Sequence, residues 1–207
     1  MTVVTPLFIG YPPAPSNGGA LSGAPPKLGE WVWQPKVDDW RGVLHLPTLR
    51  VWNQYGEESA IYGRGQLNAV LFKFAALNLP RGWEWFDIGI MRNRHDMMHG
   101  SIIVFDVMDS SMIHCDRRIA LEDNFEELPL MPPFAQQDAL YVVAEWRHLD
   151  LLGKTPLMLE ASLKETNARI GQKFYEGLVA KRADAIYPIA FRAKTKTPIW
   201  VKHRFDQ

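Results

Sequence analysis

Residues 175–182 read YEGLVAKR and residues 199–205 read IWVKHRF, and the reading of these two stretches decides the fold. Both are short, rich in aliphatic and aromatic residues and bounded by turn-forming or polar neighbours, which predicts strands. Successive side chains on a strand point to opposite faces, so Lys202 and Arg204 share one face. The first stretch carries Glu176, then Gly177, then Lys181 five residues after the glutamate. Lysine, carboxylate and paired cations held on strands suggest a site for a nucleoside triphosphate.

Working outward, QPKVDDWRG at 34–42 places Lys36 between a proline and two aspartates. Alone, such a lysine is a solvated surface pair contributing less than about 1 kcal/mol. Here it falls at the end of one predicted strand, ahead of a turn into the next, where a side chain can stand at the mouth of a cleft. Further strands are predicted at 30–37, 41–47, 49–54, 83–91, 101–108 and 139–146, again from Val, Ile, Trp and Phe bounded by Gly, Pro, Asn or Asp. Over 64–77, Leu67, Val70, Leu71, Phe74 and Ala75 recur at spacings of three and four, the stripe of a helix packed on a sheet. A second helix is predicted over 156–170, with Thr155 as its cap and Pro156 at its first position, and a shorter one near 117–125. Residues 1–30 contain PPAPSNGG and SGAPP, which resist helix and strand alike. The expected organisation is a Pro/Gly-rich N-terminal arm, 1–30, ahead of one α+β domain, 31–207.

Composition narrows the function classes. The 207 residues are 47% hydrophobic and 12% aromatic, enough for a substantial core. With 23 basic and 23 acidic residues the net charge is zero, so no bulk field draws the chain to nucleic acid or to a membrane, and phosphate binding must come from local clusters. The single cysteine, Cys115, excludes an internal disulfide and a cysteine-rich zinc site. No apolar run reaches membrane length and the N-terminus lacks a signal-peptide layout. The expected location is the cytoplasm, a phage- or virus-encoded origin included.

Taken in order, these segments resemble the covalent nucleotidyltransferases, which comprise ATP-dependent DNA ligases, RNA ligases and mRNA capping enzymes. Lys36-Val37-Asp38-Asp39-Trp40-Arg41 looks like the family's K-x-D-G-x-R motif. Asn53-Gln54-Tyr55-Gly56 is similar to the S-R-N-G segment of DNA ligases, FDIGI at 86–90 to D-G-E-L-V, and VFDVM at 104–108 to F-D-L-L. EGLVAK at 176–181 is close to E-G-I-V-A-K, and WVKHR at 200–204 to W-x-K-x-K. The likeness covers residues 30–205 and fits DNA ligases best, with RNA ligase as the alternative. It implies a nucleotidyltransferase fold, the ATP-grasp-like ligase adenylation fold, of antiparallel sheets flanked by helices.

The resemblance also implies roles. Lys36 forms a phosphoramide with AMP from ATP, for which the site must favour its neutral amine. Gln34 meets the adenine amino edge, Arg41 and Asp87 the ribose, and Phe105 stacks on the base. Glu176 holds a divalent metal, Mg²⁺ or else Mn²⁺. Lys181, Lys202 and Arg204 contact phosphates. The implied partner is nicked duplex DNA, RNA-containing ends being the alternative, with no membrane and a monomeric chain.

The sequence departs from the family pattern at three points. Asp39 replaces the glycine of the lysine motif. Asp87 replaces a glutamate, with Glu84 as a possible substitute. The third concerns the carboxy terminus: Gln207 lies three residues past Arg204, and no R-x-D-K motif is present, so no C-terminal oligonucleotide-binding barrel is expected.

Other features read as structural. His95, His99 and His114 match no metal-ligand spacing. Trp31, Trp33, Trp83 and Trp85 alternate as one face of a core rather than as a base-stacking platform. RNRH at 92–95 and DRR at 116–118 read as solvated loops, with phosphate contact as the functional option. Two function classes remain: a self-adenylating ligase, and a nucleotide- or end-binding module that kept the pocket without the chemistry.

Overall fold

Within the computed structural model, residues 14–15, 17–20, 31–53, 55–58, 67–91, 98–130, 138–149, 152–190 and 196–205 are described. In chain order the strands are β1 (Ala14–Pro15), β2 (Asn17–Ala20), β3 (Trp31–Val37), β4 (Trp40–His45), β5 (Arg50–Asn53), β6 (Trp85–Ile90), β7 (Ile102–Val107), β8 (Glu126–Glu127), β9 (Leu140–Val142), β10 (Tyr175–Arg182), β11 (Ile189–Ala190) and β12 (Lys196–Arg204). The helices are α1 (Asn68–Ala75), α2 (His114–Glu122) and α3 (Pro156–Ile170). One sheet runs β5-β4-β6-β7-β9-β8, a second β2-β12-β10-β3, and β1 pairs with β11. The two larger sheets are antiparallel at their centres, while β9 pairs parallel with β7 and β8, and β2 pairs parallel with β12. The class is α+β, as the residue patterns predict.

Alternation explains how each sheet divides its residues. On β6, Phe86, Ile88 and Ile90 enter the core under α1, together with Val70, Leu71 and Phe74 of that helix. Asp87 and Gly89, on the opposite face, are left to look toward the second sheet. A second core joins the sheets: Trp33 and Val37 of β3 and Leu178 and Ala180 of β10 pack with Ile103, Val143 and with Leu159 and Leu163 of α3. Trp33 and Trp83 are buried, in keeping with a core role. Thr155 accepts the Met158 backbone N–H at 3.3 Å, capping α3, and Gly171 closes it with φ +68°.

Four expectations need correction or limit. The arm is not free of regular structure, because Asn17–Ala20 pairs along β12; main-chain groups suffice for a ladder whatever the propensity of the side chains. Arg117 and Arg118 are not in a solvated loop but on the buried face of α2. Arg117 donates to Asp106 at 2.8 Å, and Arg118 to Glu122 at 2.7 Å and Glu127 at 3.1 Å, so both charges are matched. Asn53 builds a turn, its Oδ1 accepting from the Tyr55 and Glu57 backbones at 2.8 and 3.1 Å. RNRH at 92–95, with His95, lies outside the described residues, as do Gln54 and positions 64–66 of the first predicted helix.

Gly177 shows how closely β10 and β12 approach. A Cβ built there would lie 2.0 Å from the His203 carbonyl oxygen and 3.0 Å from Arg204 Cα, both backbone atoms that cannot turn aside. Gly177→Ala should therefore force the two strands apart and cost about 3 kcal/mol of stability, measured by denaturant unfolding. A loss under about 0.5 kcal/mol, the range of a neutral surface change, would show that the strands are not packed this closely.

Candidate functional site

A cavity of about 400 Å³ opens between the facing sides of the two large sheets. All nine residues singled out from the sequence line it. Gln34 and Lys36 come from β3, Glu176 and Lys181 from β10, and Lys202 and Arg204 from β12; Arg41, Asp87 and Phe105 face them from β4, β6 and β7. Simple alternation accounts for seven of these, and two β-bulges account for the others. The β3–β10 ladder shifts register between Tyr175 and Gly177, so Glu176 is an extra residue turned into the cavity. The β6–β7 ladder pairs Asp87 with Asp106 and Ile88 with Val104, leaving Phe105 as the extra residue. Bulges re-aim a side chain in this way.

At one end of the cavity Lys36 Nζ is ion-paired with Glu176 Oε1, and Arg204 Nη1 lies 3.5 Å from Glu176 Oε2. Lys202 has no hydrogen-bond or ion-pair partner among the described residues. Burial lowers its pKa, and the charges of Lys36, Arg204 and Arg41 lower it further. Five cations and three carboxylates line the space, an excess of positive charge suited to an anion.

On the opposite wall the two groups expected at the ribose bind each other. Arg41 donates from Nε to Asp87 Oδ1 at 2.9 Å and from Nη2 to Oδ2 at 2.6 Å, and Tyr187 donates its hydroxyl to Oδ2 at 2.9 Å. Glu84 is no substitute for Asp87, since it is half-exposed, 3.9 Å from His45, and outside the cavity. Lys181 is less available than a phosphate ligand should be. Its ammonium donates to the Phe105 carbonyl at 3.0 Å and Asp106 at 3.1 Å and lies 4.6 Å from the centre of the Trp200 ring. Gln34 is buried and donates from Nε2 to Glu145 at 2.8 Å. Glu145 and Tyr187, bonded to Gln34 and Asp87 respectively, are not among the residues that the motifs single out; the local signal for Glu145 is a lone acid inside the apolar run ALYVVAEW.

Glu176 is the cavity carboxylate best placed for a divalent cation, and no group of three acidic, histidine or cysteine side chains arranged to hold a metal ion occurs among the described residues. A cation there would complete its shell from ligand phosphates and water, a pattern that fits Mg²⁺. His114 is buried against Asp106 and Glu145, which leaves it no metal-ligand role.

No protein-family model matches the sequence, and no curated protein matches it. Solved structures do. The ligase domain of LigD from M. tuberculosis aligns with a TM-score of 0.58 at 17% identity, over 95% of this chain and 60% of that one. A mycobacterial DNA ligase D complexed with ATP and MES gives 0.59 at 16%, over 93% and 60%. Chlorella virus DNA ligase-adenylate gives 0.54 at 15%, over 92% and 68%. The chain thus spans about three-fifths of the length of the first two. Its fold is that of the nucleotidyltransferase domains of ATP-dependent DNA ligases.

Asp39 marks the departure from that pattern. Its carboxylate is packed over the bare backbone of Gly89, where a Cβ would lie 2.6 Å from both Asp39 Oδ2 and Phe105 Cζ. Oδ2 is buried and without a hydrogen-bond partner. Burial raises the Asp39 pKa from 3.8 to about 7, against the pull of Lys36 and Arg41. The folded-state value lies above the unfolded one, so charging Asp39 destabilises the fold progressively above about pH 4 and fully above about pH 7. Asp39→Asn should therefore raise the melting temperature at pH 8 and leave it unchanged at pH 4. About three pKa units set a ceiling of about 4 kcal/mol on the gain. Equal melting temperatures at pH 8 would refute the burial of this charge.

Proposed function

We propose that this chain, which has the fold of a DNA-ligase nucleotidyltransferase domain, reacts with ATP to carry AMP on Lys36 and delivers it to the 5′-phosphate of nicked DNA. The observation that supports this most is the meeting of Lys36, Glu176, Lys202 and Arg204 at one end of a cavity whose walls carry Gln34, Arg41, Asp87 and Phe105. The Lys36 amine attacks the α-phosphorus of ATP, a P–N bond forms, the bond to the bridging oxygen breaks, and pyrophosphate leaves. Glu176, already in contact with the ammonium, is placed to take its proton. Lys202 and Arg204 offset the growing charge on the phosphates, Arg204 through two parallel donors. Mg²⁺ at Glu176, when bound, would neutralise phosphate charge and polarise the reacting phosphoryl group.

In the second step a 5′-phosphate oxygen of the nick displaces Lys36 from phosphorus. In the third the 3′-hydroxyl attacks that 5′-phosphate, AMP leaves, and the strand is sealed. Binding of ATP is supported by the ATP complex of the mycobacterial ligase, and DNA as the substrate by the likeness in fold to DNA ligases. A pocket that only bound nucleotide would have no use for an amine paired with Glu176.

Incubation with ATP and Mg²⁺ should add one AMP by intact-mass measurement, and Lys36→Ala should abolish the adduct. An adduct that survives in the alanine variant sinks the assignment. Glu176→Ala should remove metal-dependent activity, and Lys202→Ala should slow adenylation more than it weakens adenosine binding. An adenylation rate within about twofold of the unaltered chain, less than about 0.5 kcal/mol of transition-state effect, would remove Lys202 from the phosphate site.

A further inference from the structure

Behind the cavity wall runs a chain of buried polar groups that the proposed chemistry leaves unused. Trp33 and Trp146 exchange backbone hydrogen bonds, N–H to carbonyl at 3.0 and 2.8 Å, which sets their neighbours Gln34 and Glu145 side by side. The Glu145 side chain is fully buried. Its Oε2 accepts from Gln34 Nε2 at 2.8 Å and faces His114 Nε2 at 2.7 Å, while Oε1 accepts from Arg147 Nε at 2.9 Å. The other ring nitrogen of His114 lies 3.3 Å from Asp106, so the imidazole is held at both ends. Burial by itself would raise the Glu145 pKa; the charge and hydrogen bond of His114, with Arg118 and Arg147, bring it down to about 2.

An ionised carboxylate can only accept hydrogen bonds, whereas a glutamine amide has one accepting and one donating end. Glu145 therefore dictates which end of Gln34 turns inward. With the NH₂ group committed to Glu145, the amide oxygen is the end left for a ligand. We infer that Glu145, braced by His114, is a positioning residue that sets purine specificity: it holds the Gln34 oxygen toward the nucleobase, favouring a 6-amino purine and opposing a 6-oxo purine. This rests on the reading of the cavity as an ATP site and deepens it. A 6-amino group donates to the amide oxygen, a 6-oxo group meets it acceptor to acceptor, and a purine with hydrogen at position 6 does neither.

The test measures binding of ATP, inosine triphosphate and purine riboside triphosphate to the full chain and to its Glu145→Gln variant. The unaltered chain should bind ATP best, purine riboside triphosphate next and inosine triphosphate least, with the extremes at least about tenfold apart, the scale of a buried group left without a partner. In Glu145→Gln the new amide keeps its oxygen on Arg147 and presents NH₂ to Gln34, which turns the Gln34 amide over. The ratio of ATP to inosine triphosphate affinity should fall about tenfold or invert. General loosening of the pocket would weaken both nucleotides and leave that ratio in place. A variant ratio within about twofold of the unaltered one overturns the role of Glu145. Inosine triphosphate binding the unaltered chain as well as purine riboside triphosphate overturns the orientation of Gln34, and this arm decides alone if the variant does not fold. Binding of ATP without purine preference defeats the inference only; failure of all three nucleotides to bind defeats the ATP reading and the inference with it.

Discussion

The pairing of β6 with β7 sets two aspartates opposite one another, Asp87 against Asp106, both buried. Like charges across a ladder repel, and a buried carboxylate without partners is costly. Each is therefore met by its own cations, and the surrounding architecture follows from that requirement. Asp87 draws Arg41 from β4 and the Tyr187 hydroxyl. Asp106 draws Arg117 and His114 from α2 and Lys181 from β10; the charges of Lys181 and Arg117 and the His114 hydrogen bond hold its pKa well below the usual carboxylate range despite its burial. One carboxylate thus ties a helix and the second sheet to the first. Beside the apolar core that joins the sheets, this polar contact borders the cavity.

The same economy of partners divides the cavity's cations. Arg41 and Lys181 are already satisfied by protein oxygens and act as fixed walls, whereas Lys202 and Arg204 stand at the exposed end with weaker commitments. Lys36 and Glu176 occupy each other. The pair neutralises two charges at that end of the cavity, with Arg204 beside Glu176.

How much of this was legible depends on whether a residue's role follows from local period. The strand at 175–182 and the helix at 156–170 match their predicted bounds, because strand-forming composition, the Thr155 cap and Pro156 are local signals. The site residues were found because several of them sit in ordered motifs. Alternation alone, however, would put Glu176 on the face opposite Lys181, and only the bulge between Tyr175 and Gly177 brings both into one space. α2 starts three residues before its expected position, and its buried face includes Arg117 and Arg118, which read as exposed until their long-range carboxylates are known. Glu145 depends on a bridge between Trp33 and Trp146, more than a hundred positions apart, which no window of sequence contains.

The short strand Asn17–Ala20 has a consequence beyond its length. It lies along β12, with Ala20 opposite Lys202, and its register jumps from Thr197 to Val201, passing over Pro198, which has no N–H to offer. Without it, the outer rim of β12 would present unpaired main-chain groups, a template on which another chain's strand can nucleate. Coverage by a segment that pairs through its own main chain makes this cavity-lining strand an interior one. The segment thus closes an edge on which another strand could pair, on the same strand that carries Lys202 and Arg204 into the cavity.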